Sequence, residues 1–234
     1  MKATDIMHPE DAKAIQMIKS VPGYEKLVRL FMKLGYEMQY RGENLANMVR
    51  VTPHCYPQIY GLFKEVVNKT GIKEPELYIY NDPEMNAYTY GETRTFVALS
   101  SSIVEKLTPE ELKGIMAHEC GHILCKHALY KTMFRTLRDM GAFMGLIHRT
   151  LFAPLYLALQ YWNRKSELSA DRCGMIITSE EIYQSSLVKL ASGLKETPGM
   201  SRCLIEQGKQ YEAFKHSSLW SLSLIHISEP TRPY

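Results

Sequence analysis

An α+β fold is predicted for this chain, with helices packed against one face of a small antiparallel sheet, and three observations predict it. Helical periodicity dominates both ends of the chain. One short central stretch is rich in aromatic and β-branched residues. The strands do not alternate with helices in a βαβ pattern. At 234 residues the chain is long enough to bury a sizeable core in one domain, or one domain with a helical extension.

Residues 1–75 read as an N-terminal helical region. Pro9 to Ser20 is its first helix. Tyr24 to about Val49 is the second, with Leu27, Leu30, Phe31, Leu34 and Met38 at spacings of three and four. PQIYGLFKEVVNKTG is the third, stopped by Gly71. The texture then changes to ELYIY, NAYTYG and TFVALS, three strands separated by Asn81-Asp82-Pro83 and Gly91-Glu92. The helical period returns with Thr108 as N-cap, Pro109 at the first helical position and Glu111 closing a capping box. This helix is expected to run to about Tyr130. Met133–Arg149, Pro154–Ile177 and Glu181–Leu194, the last capped by Thr178 with Glu181, read as further helices.

Composition narrows the function. Twenty-eight basic against twenty-five acidic residues leave +3, evenly spread, so no nucleic acid or acidic polymer is expected as partner. Cys55, Cys120, Cys125, Cys173 and Cys203 are odd in number and lack a C-x-x-C pair. A disulfide framework is not indicated, and a reducing, cytoplasmic compartment is expected. The N-terminus has charges and a proline where a signal peptide needs an apolar core. Met140 to Trp162 is long enough to span a bilayer but carries His148, Arg149, Pro154 and Gln160, which favours a buried or interfacial helical hairpin. LSLIHISEPTRPY, residues 222–234, resembles the read-through translation of a sequencing-library adapter. It is set aside from fold reasoning, and the natural chain is expected to diverge near Ser221.

The chemistry concentrates in MAHECGH, Met116 to His122. On a helix His118 and His122 lie four apart and project from one face, close enough to bind one ion. Glu119, one step round, suits a general base that holds the metal's water without displacing it. A catalytic zinc needs one more protein ligand. A third histidine six residues after His122 would define one large class of metalloproteases, but position 128 is Ala128 and His127 is rotated well off the face, so that class is excluded by spacing. NRKSELSADRCGM supplies Glu167 and, four residues on, Asp171. Glu167 can reach the ion while Asp171 hydrogen-bonds the far nitrogen of a ligand histidine, His118 by preference. Cys125 lies on the face of the two histidines and offers an alternative, a closed His-His-Cys site with structural zinc. Cys120 and Cys173 read as buried small apolar residues, and His8, His54, His148 and His216 as surface or helix-end histidines.

Three blocks, in order, resemble the M48 family of zinc metallopeptidases: NAYTYG, LTPEELKGIMAHECGHILCKH and NRKSELSADRCG. The resemblance covers Leu77 to Gly174 and is weaker upstream. It implies a zincin-like fold for residues 76–216, the metallopeptidase catalytic domain. It further implies a gluzincin site binding one zinc per chain, with His118, His122 and Glu167 as ligands, Glu119 as catalytic base and Asp171 in support. It also gives NAYTYG a role as the edge strand bordering the active-site cleft, pairing with an extended protein or peptide substrate through Asn86 and Ala87. Membrane members carry spans before the sheet and between the histidine and glutamate helices. Here the first are missing and the second reduce to 140–162, so a soluble or surface-attached metalloendopeptidase is expected. Two other readings share these residues: a non-catalytic zinc-stabilised peptide-binding adaptor, and a membrane-embedded processing protease.

Overall fold

The computed structural model describes the backbone of residues 1–21, 23–24, 36–91, 93–194, 197 and 199–217, and the side chains of these except 36–37, 136–154, 201 and 212–217. Its elements in chain order are α1 (Ala3–Ile6), α2 (Pro9–Lys19), α3 (Tyr36–Asn47), β1 (Val49–Val51), α4 (Pro57–Thr70), β2 (Glu76–Tyr80), β3 (Ala87–Tyr90) and β4 (Phe96–Ser100). There follow α5 (Ser101–Lys106), α6 (Pro109–Leu124), α7 (Ala128–Ile177), α8 (Glu180–Ser192) and α9 (Met200–Ser217). Local chemistry accounts for many of the boundaries. His8 caps α2 by accepting from Glu10 N (3.2 Å), ahead of Pro9. Gly71, at φ 73°, closes α4 in the left-handed conformation that favours glycine. The adapter-like tail lies outside the described residues, as does most of the stretch between Tyr24 and Tyr36.

Among the described residues the sheet has four strands in the order β1-β2-β4-β3. It is mixed, which corrects the expected antiparallel arrangement: β1 pairs with β2 and β3 with β4 antiparallel, but β2 and β4 are parallel. The reason is that β4 folds back from the Gly91 turn and inserts between β2 and β3. Phe96 to Ser100 are all buried, because packing covers both faces of this central strand. The expected second helix ends before Val49, which instead opens β1, leaving β3 at one end of the sheet.

Leu77, Val97 and Leu99 pack with Phe63 and Val66 of α4, Ile115, Met116 and Cys120 of α6, and Cys173 and Ile177 of α7. Tyr78, Phe96 and Ala98 point to the opposite face, where Tyr40 of α3 and Met48 cover them. A second cluster joins Ala14 and Ile18 of α2 to Tyr130, Met133, Leu159 and Trp162 of α7.

Two helix boundaries differ from expectation. The motif helix stops at Leu124, not Tyr130: Lys126 takes a left-handed backbone (φ 59°) and α7 begins two residues later. From there α7 runs unbroken to Ile177, so the expected hairpin does not form. Thr150-Leu151-Phe152-Ala153 contains no turn-forming pair, and Pro154 alone removes one helical hydrogen bond without reversing the chain. No helix among the described residues is long and apolar enough to cross a membrane. A smaller difference is that Ser179, not Thr178, caps α8, accepting from Ile182 N at 3.2 Å.

The capping box at the start of α6 is also a buried ion pair. Glu111 Oε2 accepts from Thr108 N (2.8 Å) and from Lys189 Nζ of α8 (2.6 Å), and Glu111 Oε1 accepts from Ser185 Oγ (2.8 Å). Burial alone would raise the Glu111 pKa, but these contacts, Lys189 foremost, hold it below its ordinary value. A depressed folded-state pKa contributes stability that is present above the unfolded value and lost as pH falls through the folded one. Glu111→Ala, which leaves the Lys189 ammonium buried, is expected to cost about 3–5 kcal/mol at neutral pH. The gap from wild type should close as urea melts are taken to pH below 4.5, the ordinary glutamate value.

Candidate metal centre

Helix period brings His118 and His122 to one face of α6, and their Nε2 atoms stand 3.2 Å apart. Both rings are buried, so both need polar partners. His118 Nδ1 lies 2.7 Å from the Tyr183 hydroxyl and 3.0 Å from Asp171 Oδ1, and that hydroxyl donates to the same carboxylate oxygen at 2.6 Å. Since the Tyr183 proton points to Asp171, His118 carries a proton on Nδ1. His122 Nδ1 faces His127 Nδ1 at 3.0 Å.

Helix α7 brings the carboxylates. Glu167 Oε2 is 3.1 Å from His118 Nε2, and Glu167 Oε1 is 3.6 Å from His122 Nε2. Asp171, one turn on, reaches His118. Two glycines permit this approach. A Cβ on Gly121 would stand 2.8 Å from Cys173 Cβ and 3.2 Å from Ala170 Cα, so only glycine lets α6 and α7 pack this closely. A Cβ on Gly174 would stand 2.6 Å from Tyr183 Cδ2, so the bare backbone there seats the tyrosine ring that meets His118.

The electrostatics divide the cluster. Burial works against charge on His118, but hydrogen bonds to Asp171 and then Glu167 override it and push the pKa up to about 10. Burial and then the Lys131 ammonium hold His122 well below the ordinary imidazole value. Burial would raise Glu167, yet Lys131, at 2.8 Å from Oε1, and then His122 hold its carboxyl well below the usual range.

One ligand atom each from His118, His122 and Glu167 lies within 4.8 Å of the others. The donor set fits zinc on geometric grounds. Bonds of roughly 2.0–2.2 Å to nitrogen and oxygen give a tetrahedron with edges of about 3.3 Å. The 3.2 Å between the two Nε2 atoms and the 3.1 Å from His118 Nε2 to Glu167 Oε2 lie close to that value, while His122 Nε2 approaches the other carboxylate oxygen, Oε1, at 3.6 Å. Cys125 is outside this group: it caps α6 and is buried in the apolar core, so the closed His-His-Cys site is not formed.

Glu119, buried, lines the same cleft as His118 and Glu167, and Asn86, Ala87 and Tyr88 form a wall beside them. The Asn86 backbone is committed to Ser100, its N–H donating to Oγ (3.0 Å) and its C=O accepting from Ser100 N (2.9 Å). By antiparallel alternation, the N–H and C=O of Ala87 face away from β4.

Sequence reasoning misses four residues here. A continuous helix excludes His127, but the break at Lys126 turns it back onto His122. Asp11, far away in sequence, sits 2.9 Å from His127 Nε2. Tyr183 and Lys131 carry no signal that sets them apart from ordinary helix residues. Of the histidines read as peripheral, His8 caps α2, while the side chains of His148 and His216 lie outside the described residues. Arg172 donates to Met7 O at 3.3 Å, which ties α7 to the N-terminus.

A family model described as Peptidase family M48 matches residues 53–218. The chain is also similar to the plastoglobule-localized metallopeptidase 48, chloroplastic, of Arabidopsis thaliana. The two are 28% identical over 244 aligned residues, covering 100% of this chain and 70% of that protein.

Proposed function

The chain belongs to peptidase family M48, and from that premise we propose that it is a zinc-dependent metalloendopeptidase acting on protein or peptide substrates. The observation that carries this reading is the convergence of His118, His122 and Glu167 within 4.8 Å, with Glu119 next to them in the cleft. His118, His122 and Glu167 would hold the zinc, which would supply Lewis-acid chemistry toward the scissile carbonyl and the attacking water. The Glu119 carboxylate takes the proton from the attacking water and later delivers it to the leaving amine. Asp171 and Tyr183 hold the Nδ1 proton of His118, which directs its Nε2 lone pair into the site.

The substrate lies extended along β3. Ala87 offers its outward N–H and C=O to the peptide backbone, and Asn86, whose own backbone is engaged with Ser100, adjoins it on the cleft wall. Residues 76–216 form the catalytic unit, with the N-terminal helices packed against it. The odd number and scattered placement of the cysteines favour a reducing compartment such as the cytoplasm. The name of the Arabidopsis relative places that protein at plastoglobules; for this chain, attachment to a membrane surface through residues 140–162 is the alternative location.

Zinc analysis of the purified chain, run beside casein digestion, tests the proposal. About one zinc per chain is expected, with digestion abolished by 1,10-phenanthroline and restored by added zinc. Bound zinc with intact casein under every condition would instead point to a peptide-binding adaptor.

A further inference from the structure

Behind His122, away from Glu167, runs a buried line of polar contacts that the reaction does not use. His122 Nδ1 is 3.0 Å from His127 Nδ1, and His127 Nε2 is 2.9 Å from Asp11 Oδ2. Asp11 Oδ2 also accepts from Ser169 Oγ at 2.5 Å, and Oδ1 accepts from Trp162 Nε1 at 3.0 Å. His122, His127 and Asp11 each have 0% exposure, so water cannot substitute for a missing partner.

Two imidazoles facing Nδ1 to Nδ1 share one proton, and the surroundings fix its side. His122 Nε2 faces His118 and Glu167, so its lone pair belongs there and its proton sits on Nδ1. His127 accepts that proton's hydrogen bond and carries its own proton on Nε2, which stands at ion-pair distance from Asp11 Oδ2 (2.9 Å) without hydrogen-bond alignment to it. The indole N–H of Trp162 can only donate, so the Asp11 carboxyl faces donors on both oxygens.

We propose that Asp11 and His127 are positioning residues for the metal ligand His122, which makes helix α2 part of the metal centre. A carboxylate needed only for packing already has Trp162 and Ser169. Its third contact is with the imidazole that fixes the ring orientation of a ligand. The chain adopts a disfavoured left-handed backbone at Lys126 (φ 59°) to bring His127 there. Asp11 also lies outside residues 53–218, so this support comes from beyond the segment that the family model matches.

The inference rests on the metal reading of the His118–His122–Glu167 cluster, and the test separates the two. Zinc affinity is measured on the full chain by competition with a chromophoric chelator, for wild type, Asp11→Asn, His127→Gln and the double variant, with thermal melts of each apoprotein. Each single change is expected to weaken zinc binding by about 10- to 100-fold. The double variant should be no weaker than the worse single, because the two residues act in series. Ser169→Ala, which removes one donor to Asp11 but leaves the line to His122 intact, should bind within about twofold of wild type. Folded variants that bind zinc as tightly as wild type, or single losses that multiply in the double, overturn the proposal. Should His127→Gln fail to fold, the zinc affinity of the isosteric Asp11→Asn decides between these outcomes. A wild type that binds no zinc overturns the metal reading itself.

Discussion

Glu119→Gln is expected to retain zinc while digesting casein about 100- to 10,000-fold more slowly, the range spanned by losing a general base. Glu119 stands one residue after His118 on α6, on the wall of the cleft, outside the group of ligand atoms. The amide is isosteric, so packing and metal content should be unchanged, and the substitution removes only the capacity to accept and return a proton. The measurement is a turnover rate on protein whose zinc content has been verified. Undiminished proteolysis by a zinc-loaded variant would remove Glu119 from the mechanism.

Glu167→Ala is expected to abolish digestion together with the metal. Losing a hydrogen-bond partner behind a ligand costs about 10- to 100-fold in metal affinity, and losing a ligand itself should cost more than about 100-fold. The change also deprives Lys131 of its carboxylate at 2.8 Å, which leaves a cation beside the site and opposes any divalent ion still held by the histidines. The two effects act in the same direction. Zinc retained at full stoichiometry and wild-type affinity would show that Glu167 is not a ligand.

Much of the local structure is legible in the sequence because its signals are local. Thr108, Pro109 and Glu111 announce the start of the motif helix, and Gly71 announces the end of α4. Glu167 and Asp171 are readable as a pair because a helix puts residues four apart on one face. Features that depend on distant parts of the chain are not readable. The parallel pairing of β2 and β4 is decided by where β4 inserts, and nothing within ELYIY or FVALS encodes that neighbour. The stop after Leu124 has neither glycine nor proline to mark it, so a longer helix is the natural expectation, and it puts His127 on the wrong side. Asp11 resembles any acidic residue in the first turn of an N-terminal helix, and only the packing of α2 on α7 shows that it is buried against His127. Tyr183 resembles an ordinary core aromatic. Its hydroxyl matters because bare backbone at Gly174 lets the ring settle against His118 and Asp171.

The donor atoms and their supports come from Asp11, His118, His122, His127, Glu167, Asp171 and Tyr183, positions spread across most of the chain. His118 and His122 are close in sequence, but Glu167 and the supporting residues are remote from them, so the unfolded polypeptide holds an ion far more weakly than the native form does. If the proposed site holds zinc, metal supply and native-state population would be thermodynamically linked, and free zinc at about a hundred times its dissociation constant would add at most about 2.7 kcal/mol to the unfolding free energy. A shortage of the ion would then both idle the peptidase and shorten its life, so the metal level would set abundance along with activity.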